Sequence, residues 1–149
     1  MVPLGRGATT GKITRNKKAE PGTRQGNGWP EPYIKNLDLF YNLVDLLQDV
    51  AAKHKATVPQ VVLAWLRDRP NVDSVVLAAR NKEQLHENIA SYNLKLTDED
   101  ISQITDLTAL EPIYPLWHRA MNSYDRASNA EKVYLDAYNK LMNSKSQDI

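Results

Sequence analysis

Arg80, Asn81, Gln84, Glu87 and Asn88 follow directly on a short apolar run, Val75 to Ala79. The set holds a cation, amides and one carboxylate, and Gln84, Glu87 and Asn88 share one side of a helix-like segment. A strand running into a helix, with a guanidinium and amides at the junction, suits an anionic group. The helix start adds free N–H groups and the positive end of its dipole. Without further context, Arg80 and Gln84 would also serve as ordinary solvated residues at a helix start.

A second candidate set lies in residues 2–12, VPLGRGATTGK. Gly5, Gly7 and Gly11 let a backbone approach a ligand closely, and Arg6 and Lys12 bring positive charge. The stretch RGATTGKI comes near the phosphate-loop pattern GxxxxGK[ST]. It has one residue too few between Gly7 and Gly11, and Ile13 stands where a hydroxyl residue is needed, so that reading fails. Taken alone, the stretch equally makes a flexible basic terminus. His54, at the polar end of a helix, reads as a surface histidine; His86 sits on an outer face, and neither receives a role. Trp117 and His118 stay unassigned.

The elements that must position these sets are read from hydrophobic spacing. Residues 13–32 hold Pro21, Gly22, Gly26, Gly28, Pro30 and Pro32 and form a loop made basic by Arg15, Lys17, Lys18 and Arg24, with Trp29 and Tyr33 anchoring its end. Structureless loops of about twenty residues are usually lids, binding loops or disordered. Leu37, Phe40, Tyr41, Val44, Leu47 and Ala51 mark one helical face within residues 33–55. Thr57 caps a second helix, Pro59 lies in its first turn and Pro70 ends it. Residues 72–79 read as the one clear strand, apolar on consecutive positions like a strand covered on both faces. Residues 82–92 form the next helix, with Leu85, Ile89 and Tyr92 facing inward. Thr97 and Asp100 make a capping box before Ile101, Ile104, Leu107 and Leu110, which share a face. Pro112 and Pro115 break the chain. Ser128 and Glu131 then open a last amphipathic helix through Val133, Ala137, Tyr138 and Leu141, and the terminal residues fray.

Bulk properties narrow the field. The 149 residues suffice for one domain with its own core, and a net charge of +1 provides no field that would favour nucleic acid or an anionic membrane. The absence of cysteine removes disulfides, thiolate metal sites and cysteine nucleophiles. No apolar run approaches the ~20 residues that span a bilayer, and the first residues lack a signal peptide's apolar segment. A cytoplasmic protein is the expectation. A single parallel strand needs neighbours on both edges, so the sequence reads as a piece of a larger α/β fold.

Four co-linear stretches give that larger fold a family. Pro3-Leu4-Gly5-Arg6-Gly7-Ala8-Thr9-Thr10-Gly11-Lys12 is similar to the PLGxGxLTGK loop of the aldo-keto reductase superfamily, which follows the seventh barrel strand. Residues 78–88, AARNKEQLHEN, resemble its GARNxEQLxEN segment after the eighth strand. Residues 59–66, PQVVLAWL, resemble the helix AQxALAWL, and residues 96–100, LTDED, resemble the LTxEE helix start. The match covers roughly residues 2–110 and leaves 111–149 as a helical tail without one. The resemblance implies the C-terminal part of a (β/α)8 TIM barrel, mostly helical with one strand.

It also implies an NADP(H)-dependent oxidoreductase acting on aldehydes or ketones. Arg80 would pair with the cofactor's 2′-phosphate, Gln84 and Asn88 would meet the adenine edges, and Glu87 the adenine amine or ribose. Pro3, Leu4, Gly5 and Gly7 would wrap the pyrophosphate, with Lys12 and Arg24 as clamps. Ala78 departs from the family's Gly, and Ala8 and Thr9 from bulkier loop residues. The family's Asp, Tyr, Lys and His tetrad comes from the earlier barrel strands and has no counterpart among these residues. The expectation is a cofactor-binding half that needs the N-terminal half for turnover. The rival expectations are an inactive nucleotide-binding or interaction fragment, prone to self-association through the edge at 75–79, and a truncated gene product without a function of its own.

Overall fold

The computed structural model describes residues 3–23, 25–28, 34–70, 72–109 and 114–145, with the side chains of Leu116, Trp117, Tyr134, Ala137 and everything from Lys140 onward excepted. Arg24, Trp29, Tyr33, Leu110 and Pro112 therefore lie outside the described residues. The chain divides into two compact units, Met1–Thr108 and Ala109–Ile149.

In the first unit, α1 (Leu37–Lys53) and α2 (Val58–Arg67) form the centre. Asn36 caps α1 by accepting from Leu39 N, and Asp38 favours the positive end of its dipole. Thr57 caps α2 in a full capping box with Gln60, and Pro59 occupies the first turn, where its missing N–H costs nothing. The expected stripe on α1 is buried at Phe40, Val44, Leu47 and Ala51, whereas Leu37 at its start is exposed, and Leu47 and Ala51 meet Val58, Val61 and Val62 of α2. Ile104 of α4 (Asp98–Leu107) closes this core. Ala8 packs separately against Phe40 and Val44, and this fastens the N-terminal loop to α1.

Between α2 and α4 lies α3 (Lys82–Ala90), which passes into a 3₁₀ turn, Ser91–Asn93. Two expectations change here. No strand is found among the described residues, and 72–79 carry no regular structure. A strand exists only through a ladder, and the described residues supply no neighbouring strand. The inward face expected for α3 is also not inward: Leu85 and Ile89 are exposed and Tyr92 is 77% exposed. The periodicity is present, but the layer it would pack on is not among the described residues.

The second unit contains α5 (Leu116–Asn122) and α6 (Asn129–Lys145). The first of these was not legible in the proline-rich stretch. Ala120, Ala127, Leu135 and Tyr138 make its small core. Ser128 Oγ accepts from Glu131 N at 3.3 Å, and Glu131 Oε2 accepts from Ser128 N at 3.0 Å, so the expected capping box is present. Arg119 pairs with the same Glu131 at 2.8 Å.

Candidate functional site

The N-terminal loop reaches its place through backbone geometry that few residues tolerate. Gly5, Arg6 and Gly7 all have left-handed φ (51, 53 and 100°), and Gly7 N donates to Leu4 O at 2.9 Å. At Gly7 a Cβ would meet no atom within 4 Å, so the constraint there is the φ angle alone. Arg6 adopts this conformation at a cost that glycine avoids.

The following loop is not structureless. Thr14 and Lys17 exchange backbone bonds in a tight turn. Arg15 is thereby aimed at α1, where it reaches Asp45 at 3.2 Å and Asn42 at 2.5 Å and lies over the Tyr41 ring. A second turn closes with Thr23 Oγ1 donating to Glu20 O at 2.6 Å and accepting from Gly26 N at 3.0 Å. A Cβ on Gly26 would lie 2.0 Å from the Glu20 carbonyl oxygen, so only glycine fits. Lys17, 2.8 Å from Glu20, holds that carboxyl below its ordinary range by a hydrogen bond and by its charge.

On the other side, Asn81 caps α3 by accepting from Gln84 N at 2.9 Å. The Gln84 side chain turns back, and its Oε1 accepts from Arg80 N at 3.1 Å. This leaves the Gln84 amino group as the end able to donate to a ligand. The first N–H groups of α3 have no intrahelical acceptor. The Arg80 guanidinium is exposed and has no hydrogen-bond or ion-pair partner among the described residues. Asn88 is only 6% exposed, yet its side-chain amide has no partner among them either.

These two sides face one cavity of about 500 Å³, within the usual range for small-molecule sites. Pro3, Leu4, Gly7 and Lys12 line it from the N-terminal loop. Arg80, Gln84, Glu87 and Asn88 line it from the α3 side. Gly5 does not line it, and Arg24 is outside the described residues. The structure adds Glu20, Thr23 and Gln25 from the long loop, Pro59 from α2, and Val76 and Leu77. The length of the loop signalled a lid or binding segment, but nothing in its composition singled out Glu20 or Thr23. The cavity can hold an anion against Lys12 and Arg80 while Asn88 and Gln84 offer amide groups to a flat polar edge. Among the described residues no cluster suited to a metal ion occurs, and no helix is long and apolar enough to cross a membrane.

A second polar cluster lies in the helical core. Lys53 Nζ donates to Asp100 Oδ1 at 2.8 Å, and His54 Nε2 lies 2.7 Å from Asp100 Oδ2. Thr97 adds its N–H and hydroxyl to Oδ2. Burial pushes the Asp100 carboxyl up, but the bonds from Lys53, Thr97 and His54 outweigh it and hold it well below the carboxylate range. An ionised carboxylate only accepts, so Nε2 is the nitrogen that carries the proton. His54 is thus a largely buried cross-link, its side chain 16% exposed, and not a surface histidine. Its sequence position did not reveal this, because its partner lies 46 residues away.

Comparison with known proteins gives a family model, the aldo/keto reductase family, matching residues 1–109. The chain is 30% identical over 110 residues to the NADH-specific methylglyoxal reductase of Escherichia coli K12, covering 73% of this chain and 33% of that protein. It is 30% identical over 105 residues to the aldo-keto reductase str7 of Strobilurus tenacellus, covering 70% and 31%. It is 32% identical over 109 residues to the L-glyceraldehyde 3-phosphate reductase of Escherichia coli O157:H7, again covering 70% and 31%. The chain therefore spans about a third of the length of these curated relatives.

Proposed function

The chain belongs to the aldo/keto reductase family, and from that membership we propose that residues 1–110 are the cofactor-binding C-terminal part of an NADP(H)-dependent oxidoreductase. The reaction of the whole enzyme is reduction of an aldehyde or ketone to an alcohol, in the cytoplasm. The family implies a nicotinamide cofactor held on a (β/α)8 barrel. The observation that carries the finer reading is the shared cavity, where Arg80 and the side-chain amide of Asn88, neither with a partner among the described residues, line the same space as Gly7 and Lys12.

These residues fit a phosphorylated adenosine. Arg80 is suited to the 2′-phosphate through its guanidinium fork, Asn88 and Gln84 to the adenine edge, Glu87 to the adenine amine or ribose. Lys12 and the Gly7 backbone suit the pyrophosphate, with Pro3, Leu4 and Gly5 shaping the loop and Arg24 as a second clamp. The bound nicotinamide supplies the hydride. The family's Asp, Tyr, Lys and His contexts are not matched in this chain, so we assign it binding and not proton transfer. Residues 111–149 are a helical tail outside that role.

Titration of the purified chain with NADPH, followed by nucleotide fluorescence, tests the assignment. Saturable binding in the micromolar range is the expected result, and no response up to millimolar removes it. The relative named as NADH-specific sets the rival cofactor. Equal affinity for NADH and NADPH would overturn the 2′-phosphate assignment and keep the nicotinamide one.

A second reading has its own observation. Val76 is 83% exposed, and Leu85, Ile89 and Tyr92 are exposed with it. Such an apolar face suits association with a further barrel segment or a second copy of the chain. Light scattering across a concentration series separates these: a monomer at all concentrations argues against self-association.

A further inference from the structure

We propose that Gln60 and Arg67 of α2 are positioning residues of the nucleotide site, acting through α3; this rests on the nucleotide reading above. Neither side chain lines the cavity. Both hold the backbone of the segment that carries Glu87 and Asn88.

The need for such anchors follows from α3 itself. It has nine residues, too few for a helix to be stable alone. Its apolar side chains Leu85 and Ile89 are exposed, so little hydrophobic burial fixes its position. Asn88 is its one buried residue, and Asn88 belongs to the cavity. Polar contacts from α2 must therefore set where α3 lies.

Gln60 links two helices with one amide. Its Oε1 accepts from Thr57 N at 3.0 Å, which completes the α2 cap, and its Nε2 donates to Glu87 O at 3.1 Å. Arg67 stands seven residues on, two turns along the same face of α2. Its Nη1 donates to Ser91 O at 3.0 Å and Tyr92 O at 2.7 Å, and its Nη2 to Leu94 O at 2.9 Å. Asp68 takes the Nε and remaining Nη2 donors at 2.7 Å each, which orients the fork. All five guanidinium N–H groups are thus engaged. Gln60 fixes the middle of the segment and Arg67 its end, and the Arg80 end projects into the cavity.

A displaced α3 would carry Arg80, Gln84, Glu87 and Asn88 with it. The loss would fall on recognition of the 2′-phosphate, which depends on the angle and reach of Arg80. The test is isothermal titration of the full chain with adenosine 2′,5′-bisphosphate and, separately, with 5′-AMP. The ratio of the two affinities is independent of the fraction of chain that is folded, so a purely structural role would not move it. Gln60→Glu keeps an acceptor for Thr57 N and loses the donor to Glu87 O. Arg67→Lys keeps the charge and loses the fork.

Wild type should prefer the 2′-phosphorylated ligand at least about tenfold, and both variants should bring that ratio down toward one. Because the two substitutions change charge differently, agreement between them excludes a simple field effect. An unchanged ratio in either variant overturns the positioning role. Failure of wild type to bind either ligand overturns the nucleotide reading itself, and the proposal with it.

Discussion

Arg80 and Asp100 both sit at a helix start, and their surroundings differ in every respect. Arg80 is exposed and unpaired among the described residues, so its charge is available to a ligand. Replacing it should cost only what it binds. A charge-assisted bond is worth about 1.5–3 kcal/mol, so Arg80→Ala should weaken NADPH about 10- to 100-fold and leave NADH nearly unchanged, as read by fluorescence titration. Asp100 is 2% exposed and accepts from Lys53, His54 and Thr97. Asp100→Asn should destabilise the first unit by about 2–4 kcal/mol, measured by urea unfolding. The sign with pH follows from the depressed carboxyl. Its contribution is complete above the ordinary value of 3.8 and is lost as pH falls below it toward the lower folded value. Acid unfolding of the wild type should therefore steepen below about pH 4, and the Asn variant should lose that part of the slope. The capping role of Asp100 was legible from Thr97, three residues before it. Its ion pairs were not, because Lys53 and His54 are remote in sequence.

At the scale of elements, the helix at 37–53 followed from spacing and those at 58–67 and 98–107 from spacing and their Thr caps. Their expected faces are buried at Phe40, Val44, Leu47 and Ala51, at Val58, Val61 and Val62, and at Ile104, whereas Leu37 is exposed. The helix at 82–90 shows what period alone leaves out. It was recognisable from the spacing of Leu85, Ile89 and Tyr92, but its apolar face is exposed because burial depends on what lies opposite. Leu85→Lys and Ile89→Lys should therefore change the stability of this chain by no more than about 0.5 kcal/mol, a small effect for leucine and isoleucine positions. Thermal unfolding checks it, and a loss of about 2 kcal/mol or more would mean that the face is covered in solution. The long loop is a third case. Its length suggested a lid, but only the Thr14–Lys17 turn explains why Arg15 reaches α1.

At the scale of the whole molecule, the described residues that line the cavity lie within Met1–Thr108, the first unit. Removing residues 109–149 should leave the affinity for adenosine 2′,5′-bisphosphate within about twofold of the full chain, a change below the ~0.5 kcal/mol scale of neutral surface effects; a larger loss would give the tail a part in binding. The sequence by itself determined the family, the helix starts after Thr57, Thr97 and Ser128, and the two stretches that carry the candidate ligand groups. Those are local properties: glycines that permit left-handed turns, side chains that cap, and residues spaced on one helical face. The tertiary structure alone decided that loop and helix meet at one cavity, that the Asn88 side chain lines it without a partner among the described residues, and that Gln60 and Arg67 bond to the α3 segment. It also decided that residues 72–79 form no strand among the described residues. Each of these depends on a partner distant in the chain, and no local pattern encodes which distant groups will be brought into contact.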